Sequence, residues 1–336
     1  MSNDNNQANT RHHFVQKAYL DKFSERGKID VINRQDGTVR PRQGTRDVAN
    51  MRGLYTAVRD DGQKDGILEG AFATEIEGPA MKIINNMTSI FHYVPHSEER
   101  SRLAYYMALQ YLRTLESKRR FELEVGRFAS VELFNLANKP EKIKDFLQSK
   151  GKNHDKETIE KYQKTILETL KGYELSPGSN NMWLKTLTDG IHHIAPILVE
   201  RFRWHLYYYD APTFITSDHP VILRRINNDS WGIGFANADE VLFPLSKYHA
   251  LILSIDDSLE EGVHINPGLE AAEMLNYFIM QNSYLEIYCP PSLTSNYGGQ
   301  ALGKRAIITM SGGDIEGLEF LKQYAGVLDR EKPRRH

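Results

Sequence analysis

One cysteine, Cys289, in 336 residues leaves no partner for an internal disulfide and too few thiolates for a multi-cysteine zinc site. A surplus of one charge is missing too. The 42 Lys and Arg against 44 Asp and Glu give a formal net charge of −2, so the chain lacks the global basic field of a dedicated nucleic-acid binder, although a local basic groove remains open to it. No apolar run approaches the roughly 18 to 20 residues of a membrane-spanning helix. The opening MSNDNNQANTR has no apolar core of the kind a secretory leader carries. These absences place the chain, as an expectation, in a reducing cytoplasmic compartment with no membrane partner.

Catalytic signatures are equally scarce. No GxxxxGK[ST], no GxGxxG after a strand, no GxSxG and no HExxH occurs, which disfavours P-loop, Rossmann, serine-hydrolase and zincin chemistry. An Arg-x4-His ribonuclease pattern is absent. Glu116-Ser117-Lys118 has the letters of a nuclease E-x-K but reads as helix with no preceding strand. His192 and His193 lack a metal-ligand spacing.

What is present is enough apolar material, 40% of the chain, to bury a substantial core. Residues 1–11 read as a disordered N-terminus and 330–336 as a basic tail. Residues 12–329 read as a single α+β domain with a peripheral, Lys-rich helical arm at about 119–175. Within it, HHFVQKAYLDKF implies a short helix after His12 and His13, and Asp36-Gly37 implies a hairpin between 28–33 and 38–40. An apolar helical stripe over 68–91 is interrupted by Gly78-Pro79, beside which stands Glu77. A helix opening at Ser97-Glu98-Glu99 is apolar around nearly its whole circumference, except for a line of Tyr106, Gln110, Arg113 and Ser117. A buried Arg must find a partner, either a structural carboxylate or an anionic ligand. A second core helix at about 182–202 carries Pro196. Short strands then dominate at 204–209, 241–244, 250–255 and 284–289, with one helix at 267–281. The expected architecture is a helical N-terminal and middle region packed on a mostly antiparallel C-terminal sheet.

The most unusual stretch is Thr213 to Leu223, TFITSDHPVIL. It reads as an apolar strand interrupted by Ser217, Asp218, His219 and Pro220, which marks either a turn or a pocket. Ser217, Asp218 and His219 are neighbours in sequence, and adjacent strand residues face opposite ways, so their order does not constitute a triad.

These landmarks resemble the bacterial family catalogued as domain of unknown function 4238, from about His12 to Cys289. They are HHFVQKAYLDKF, Gly53-Leu54-Tyr55-Thr56, Glu77, the helix with Gln110 and Arg113, Trp204, FITSDHPV and Phe243-Pro244-Leu245-Ser246. The family pattern has proline where Gln16 stands and often Asn where His219 stands, so His219 is secondary. The resemblance implies a single site of His13, Glu77 and Asp218 as catalytic groups, with Gln110, Arg113 and Ser217 binding substrate, and the polar line of the helix adds Tyr106 to the binding set. Glu77 and Asp218 would serve as acid and base or as ligands to Mg2+ or Mn2+. Such a set suits hydrolysis of a phosphodiester or nucleotide by a nuclease-like enzyme, and the family type points to an effector in bacterial conflict or defence. The same residues without catalysis suit a sensor or interaction module that binds an anion or nucleotide, or a polar cluster that is purely structural.

Overall fold

The computed structural model describes residues 11–305 except 60, 91–92, 173, 178, 227–231 and 259. Phe91 of the expected helical stripe, most of the N-terminus 1–11 and the segment 306–336, with its basic tail, lie outside the described residues. The chain divides into two compact units, one formed by Met1–Lys118 with Ser179–Ile307 and the other by Arg119–Gly178 with Ile308–His336. The helices expected at about 119–175 fall in the second unit.

In the first unit the chain enters as β1 (Arg11–His13) and α1 (Lys17–Asp21), followed by β2 (Lys28–Asn33), β3 (Val39–Gly44) and β4 (Asn50–Arg52). The hairpin between β2 and β3 turns at Gly37, whose φ of +74° is the left-handed conformation that glycine tolerates. Two short strands, β5 (Ala57–Val58) and β6 (Lys64–Asp65), lead to α2 (Ile67–Ala71). Instead of a kink at Gly78-Pro79, the helix widens into a π-turn over Phe72–Glu77 and continues as α3 (Gly78–Ser89). The cause is local: Pro79 has no N–H to donate to the preceding turn, and the Gly78 N–H reaches back five residues to the Ala73 carbonyl.

Helix α4 (Ser97–Leu112) starts one residue earlier than its Ser suggests, because His96 and Glu99 form a reciprocal capping box. Its core residues Leu103, Ala104, Met107, Ala108 and Leu109 are inaccessible to solvent, as expected for a helix apolar all round. After Arg113 and Thr114 the chain starts α5 (Leu115–Ala137), and it returns to the first unit in α8 (Asn181–Arg201). Gly190 of α8 lets Leu112 approach: a Cβ there would stand 2.8 Å from the Leu112 side chain.

The remaining strands are β7 (Arg203–Tyr208), β8 (Thr216–Ser217), β9 (Ile222–Arg224), β10 (Glu240–Ser246), β11 (His249–Ser254), β12 (His264–Ile265) and β13 (Glu286–Cys289), with α9 (Leu269–Asn282) before the last. They build a five-stranded sheet in the order β12-β7-β11-β10-β9, antiparallel except for the β12–β7 pair. A four-stranded sheet runs β3-β2-β13-β8. The fold is α+β, but the segregation is looser than the sequence implied: the N-terminal hairpin β2–β3 pairs with the C-terminal β13.

That topology corrects the reading of 213–223 as one strand. Thr216–Ser217 belongs to the four-stranded sheet and Ile222–Arg224 to the five-stranded one. Ser-Asp-His-Pro is where the chain leaves one sheet for the other, and a backbone that leaves a ladder inside the core needs polar side chains to satisfy it.

In the second unit, α5 runs on and is followed by α6 (Pro140–Ser149) and α7 (Lys156–Gly172). Ile143 and Leu147 are buried, Arg119 pairs with Glu174 at 2.7 Å, and Gln163 donates to the Ala137 carbonyl at 2.7 Å. Gly126 is required by close approach, since a Cβ would fall 2.0 Å from the Leu175 carbonyl oxygen.

Candidate functional site

Arg113, the residue that ends α4, has no solvent exposure. Its guanidinium is surrounded by acceptors. Nη1 donates to Glu77, Nη2 donates to the carbonyl of His13, and Nε donates to the Tyr55 hydroxyl at 2.9 Å. Glu69 approaches Nη2 at 3.6 Å, and the Tyr55 ring lies 5.1 Å under the guanidinium carbon. Burial opposes the charge on Arg113, but Tyr55, Glu77 and Glu69 together more than offset that and hold it protonated.

The π-turn makes this possible. Glu69 and Glu77 are eight residues apart, which in a regular α-helix separates two side chains by about 80°. The wider turn between them takes up the excess, and both carboxylates reach one guanidinium. Glu77 is buried, whereas the Glu69 side chain keeps 31% of its surface exposed.

Around His13 the arrangement is a clamp. Its carbonyl accepts from Arg113 and from the Tyr55 hydroxyl at 3.2 Å, and its own peptide N–H donates to Glu69. Its imidazole bonds to the backbone of Arg46, while Nε2 is buried with no hydrogen-bond partner among the described residues. Burial, and then the charge of Arg113, lowers the His13 pKa, so the ring is neutral near pH 7 with Nε2 unengaged. Burial raises the Glu69 carboxyl to about 7 against the opposing pull of Arg113. Two groups of opposite protonation tendency therefore stand on either side of one peptide.

His12 has a structural role. Its Nδ1 accepts the Tyr55 N–H at 2.9 Å and its ring stacks on Tyr55, which in turn stacks on Trp183. Further along α4, the Tyr106 hydroxyl donates to Gln16 at 2.8 Å, so the departure from proline at Gln16 supplies Tyr106 with its acceptor. Gln110 is fully buried, and neither amide atom has a hydrogen-bond partner among the described residues.

The structure thus brings His13, Glu77 and Arg113 together and sets Tyr106 and Gln110 on the same helix. It places Ser217 and Asp218 in a different setting. One Asp218 oxygen accepts the Tyr284 N–H at 2.7 Å, and the other accepts those of Leu285 and Glu286 at 2.6 and 3.1 Å. Burial raises this carboxyl to about 7 in spite of the three N–H donors. Ser217 Oγ bridges the backbone of His219, donating to its carbonyl and accepting its N–H, both at 3.1 Å. His219 Nδ1 lies 3.2 Å from Thr114 Oγ1 and 3.7 Å from Glu116, which Arg305 also approaches at 3.1 Å. These contacts satisfy the passage from β8 toward β9 and join it to the segment Tyr284–Glu286.

Asp218 and Ser217, expected to take part in catalysis and substrate binding, are both engaged with backbone groups. Of the two carboxylates expected as metal ligands, Glu77 pairs with Arg113 and Asp218 accepts three peptide N–H groups. Among the described residues no group of three or more His, Cys, Asp or Glu side chains could hold a metal ion. Glu69 and Tyr55 complete the cluster without having been singled out for chemistry. Tyr55 was visible only as part of the Gly53-Leu54-Tyr55 step, and Glu69 was hidden because regular helical periodicity turns it away from Glu77.

A family model described as Protein of unknown function (DUF4238) matches residues 11–292. The chain belongs to that family. Its landmarks coincide with the cluster, since HHF supplies His12 and His13, and Tyr55, Glu77 and Arg113 each lie within the matched span. No curated protein and no solved structure matches the chain. No helix among the described residues is long and apolar enough to cross a membrane.

Proposed function

We propose that this protein is a hydrolase of phosphodiester or nucleotide substrates whose acid and base are Glu69 and His13. The observation that carries this reading is the pairing of a carboxyl raised to about 7 with a neutral imidazole whose Nε2 is free, both fixed by the backbone of His13. In this mechanism His13 Nε2 takes the proton of an attacking water and Glu69 in its protonated form gives one to the leaving oxygen. Arg113 is a positioning residue: its donors are used within the protein, and it holds Glu69, Glu77, Tyr55 and the His13 carbonyl in place. The donor sets do not support a metal-dependent step through Glu77 and Asp218. A cytoplasmic location belongs to this reading and is supported by a single, buried, free cysteine.

The test is a panel of nucleotides and oligonucleotides incubated with the wild-type chain and with His13→Gln, in chelator and with added Mg2+ or Mn2+. Turnover of at least one substrate, lost in the variant, is the expected result. A second reading, a non-catalytic anion- or nucleotide-binding sensor or interaction module in which the Arg113 cluster is structural, is favoured by the complete burial of Arg113 and the internal use of its donors. Ligand-dependent thermal stabilisation with no turnover by the wild type would select it.

A further inference from the structure

The ribbon that presents His13 carries an unusual charge arrangement. In the antiparallel register of β1 and β4, Arg11 stands opposite Arg52, His12 opposite Met51 and His13 opposite Asn50. Directly paired residues share a face and alternate residues return to it, so Arg11, Arg52, His13 and Asn50 all belong to one face. Like charges placed directly opposite destabilise a strand pair. Both arginines are exposed, and neither guanidinium has an acidic partner among the described residues. Lys17, by contrast, is neutralised by Asp21 at 2.6 Å.

The ribbon is also held by means other than its own short ladder. Ala49, immediately before β4, is a buried non-glycine residue at φ +52°, in the left-handed region that a Cβ disfavours. Its carbonyl accepts the Phe14 N–H at 2.9 Å, and Asn50 Nδ2 donates to the carbonyls of Arg46 and Val48 at 3.2 and 3.1 Å. The fold therefore keeps two exposed arginines directly opposite one another on the ribbon face that also carries His13, and an anion bound between them would remove their mutual repulsion.

We infer that Arg11 and Arg52 form a clamp for a phosphate group of the substrate, next to His13. This rests on the hydrolase reading for the role of His13 and adds the residues that select a phosphate-bearing ligand. Two guanidinium forks can hold phosphate oxygens by paired N–H donors, which suits a phosphate better than a carboxylate of lower charge. Arg113 has no part in this contact.

The experiment measures binding, without turnover, of inorganic pyrophosphate and of a short single-stranded oligonucleotide to the full-length chain. It compares the wild type with Arg52→Glu and with the double variant Arg11→Ala, Arg52→Ala, and thermal midpoints are recorded alongside. Arg52→Glu replaces a repulsive cross-strand pair with an attractive one. It is expected to melt at or above the wild-type midpoint while losing about tenfold or more in affinity. The double variant is expected to lose affinity similarly and, for the oligonucleotide, to shallow the salt dependence by about two charges' worth of slope. Binding of both ligands indicates a clamp for any accessible phosphate; binding of the oligonucleotide alone indicates one that needs a phosphodiester chain. Unchanged affinity in a folded Arg52→Glu protein overturns the clamp, as does binding of neither ligand by the wild type. If turnover is present and lost in His13→Gln while Arg52→Glu binds normally, the clamp fails and the hydrolase reading stands. If no protein turns over substrate but Arg52→Glu weakens binding, the reverse holds.

Discussion

Two buried polar clusters in the first unit look alike in composition and differ in what they leave over. One gathers Arg113, Glu77, Glu69, Tyr55 and His13; the other gathers Asp218, Ser217, His219, Thr114 and Glu116. Around Asp218 the partners are largely backbone groups, and both carboxylate oxygens are engaged by peptide N–H donors. Around Arg113 the partners are other chemically capable side chains, and the cluster ends in an imidazole nitrogen with no hydrogen-bond partner among the described residues and a partly exposed carboxyl. The difference teaches that a buried charge is not in itself a site. What distinguishes a site from a cap is the capacity that remains after internal partners are counted.

The largest effect that could break this comparison is on stability. Arg113→Met leaves Glu77 buried without its cation, and the expected loss is about 3–5 kcal/mol by urea denaturation. A loss below about 1 kcal/mol would mean that the cluster is not holding the helix ends and β1 together. Next, Asp218→Asn keeps an acceptor toward the Tyr284–Glu286 backbone and should cost about 1–2 kcal/mol, with turnover per folded molecule equal to wild type. A folded, inactive Asp218→Asn would move the site back to that cluster. Tyr55→Phe removes one donor–acceptor hydroxyl from between Arg113 and His13, with an expected cost of about 1 kcal/mol and a measurable fall in turnover.

The smallest effect sharpens the protonation assignment. Because the folded state raises the Glu69 pKa from its ordinary value to about 7, the folded protein retains a proton that the unfolded chain has lost across that interval. Stability from this group is therefore present at low pH and declines as pH rises through the carboxylate range to about 7. Glu69→Gln cannot titrate, so its thermal midpoint should match wild type near pH 4 and exceed it near pH 8. Equal midpoints at both values would place the Glu69 pKa in its normal range.

Much of the fold was legible because periodicity and turn chemistry report it directly. The hairpin at Asp36-Gly37, the all-round apolar α4 and the arm of charged helices all follow from local rules. The sheet topology did not follow, because nothing local tells that the chain changes sheets between Ser217 and Ile222 or that β2 pairs with β13. At the site, Arg113 and Glu77 were legible as a charge on an apolar helix and a carboxylate at a helix break. Glu69 was not, since the π-turn that aims it depends on Pro79 lacking an N–H ten residues away. The surroundings of Asp218 were not legible for a physical reason: a carboxylate that satisfies three peptide N–H groups at a sheet crossing has the same sequence signature as one kept for chemistry.

If Glu69 and His13 act as acid and base, the pH dependence of kcat/KM for a hydrolysed phosphodiester or nucleotide reads both groups at once. The expected profile is a bell: activity falls below the lowered His13 pKa as Nε2 becomes protonated and falls above about 7 as Glu69 loses its proton. In Glu69→Gln the alkaline limb should disappear, with the maximum reduced by about a hundredfold or more and the fold intact. A folded Glu69→Gln enzyme with wild-type activity and an unchanged alkaline limb would contradict the acid–base assignment.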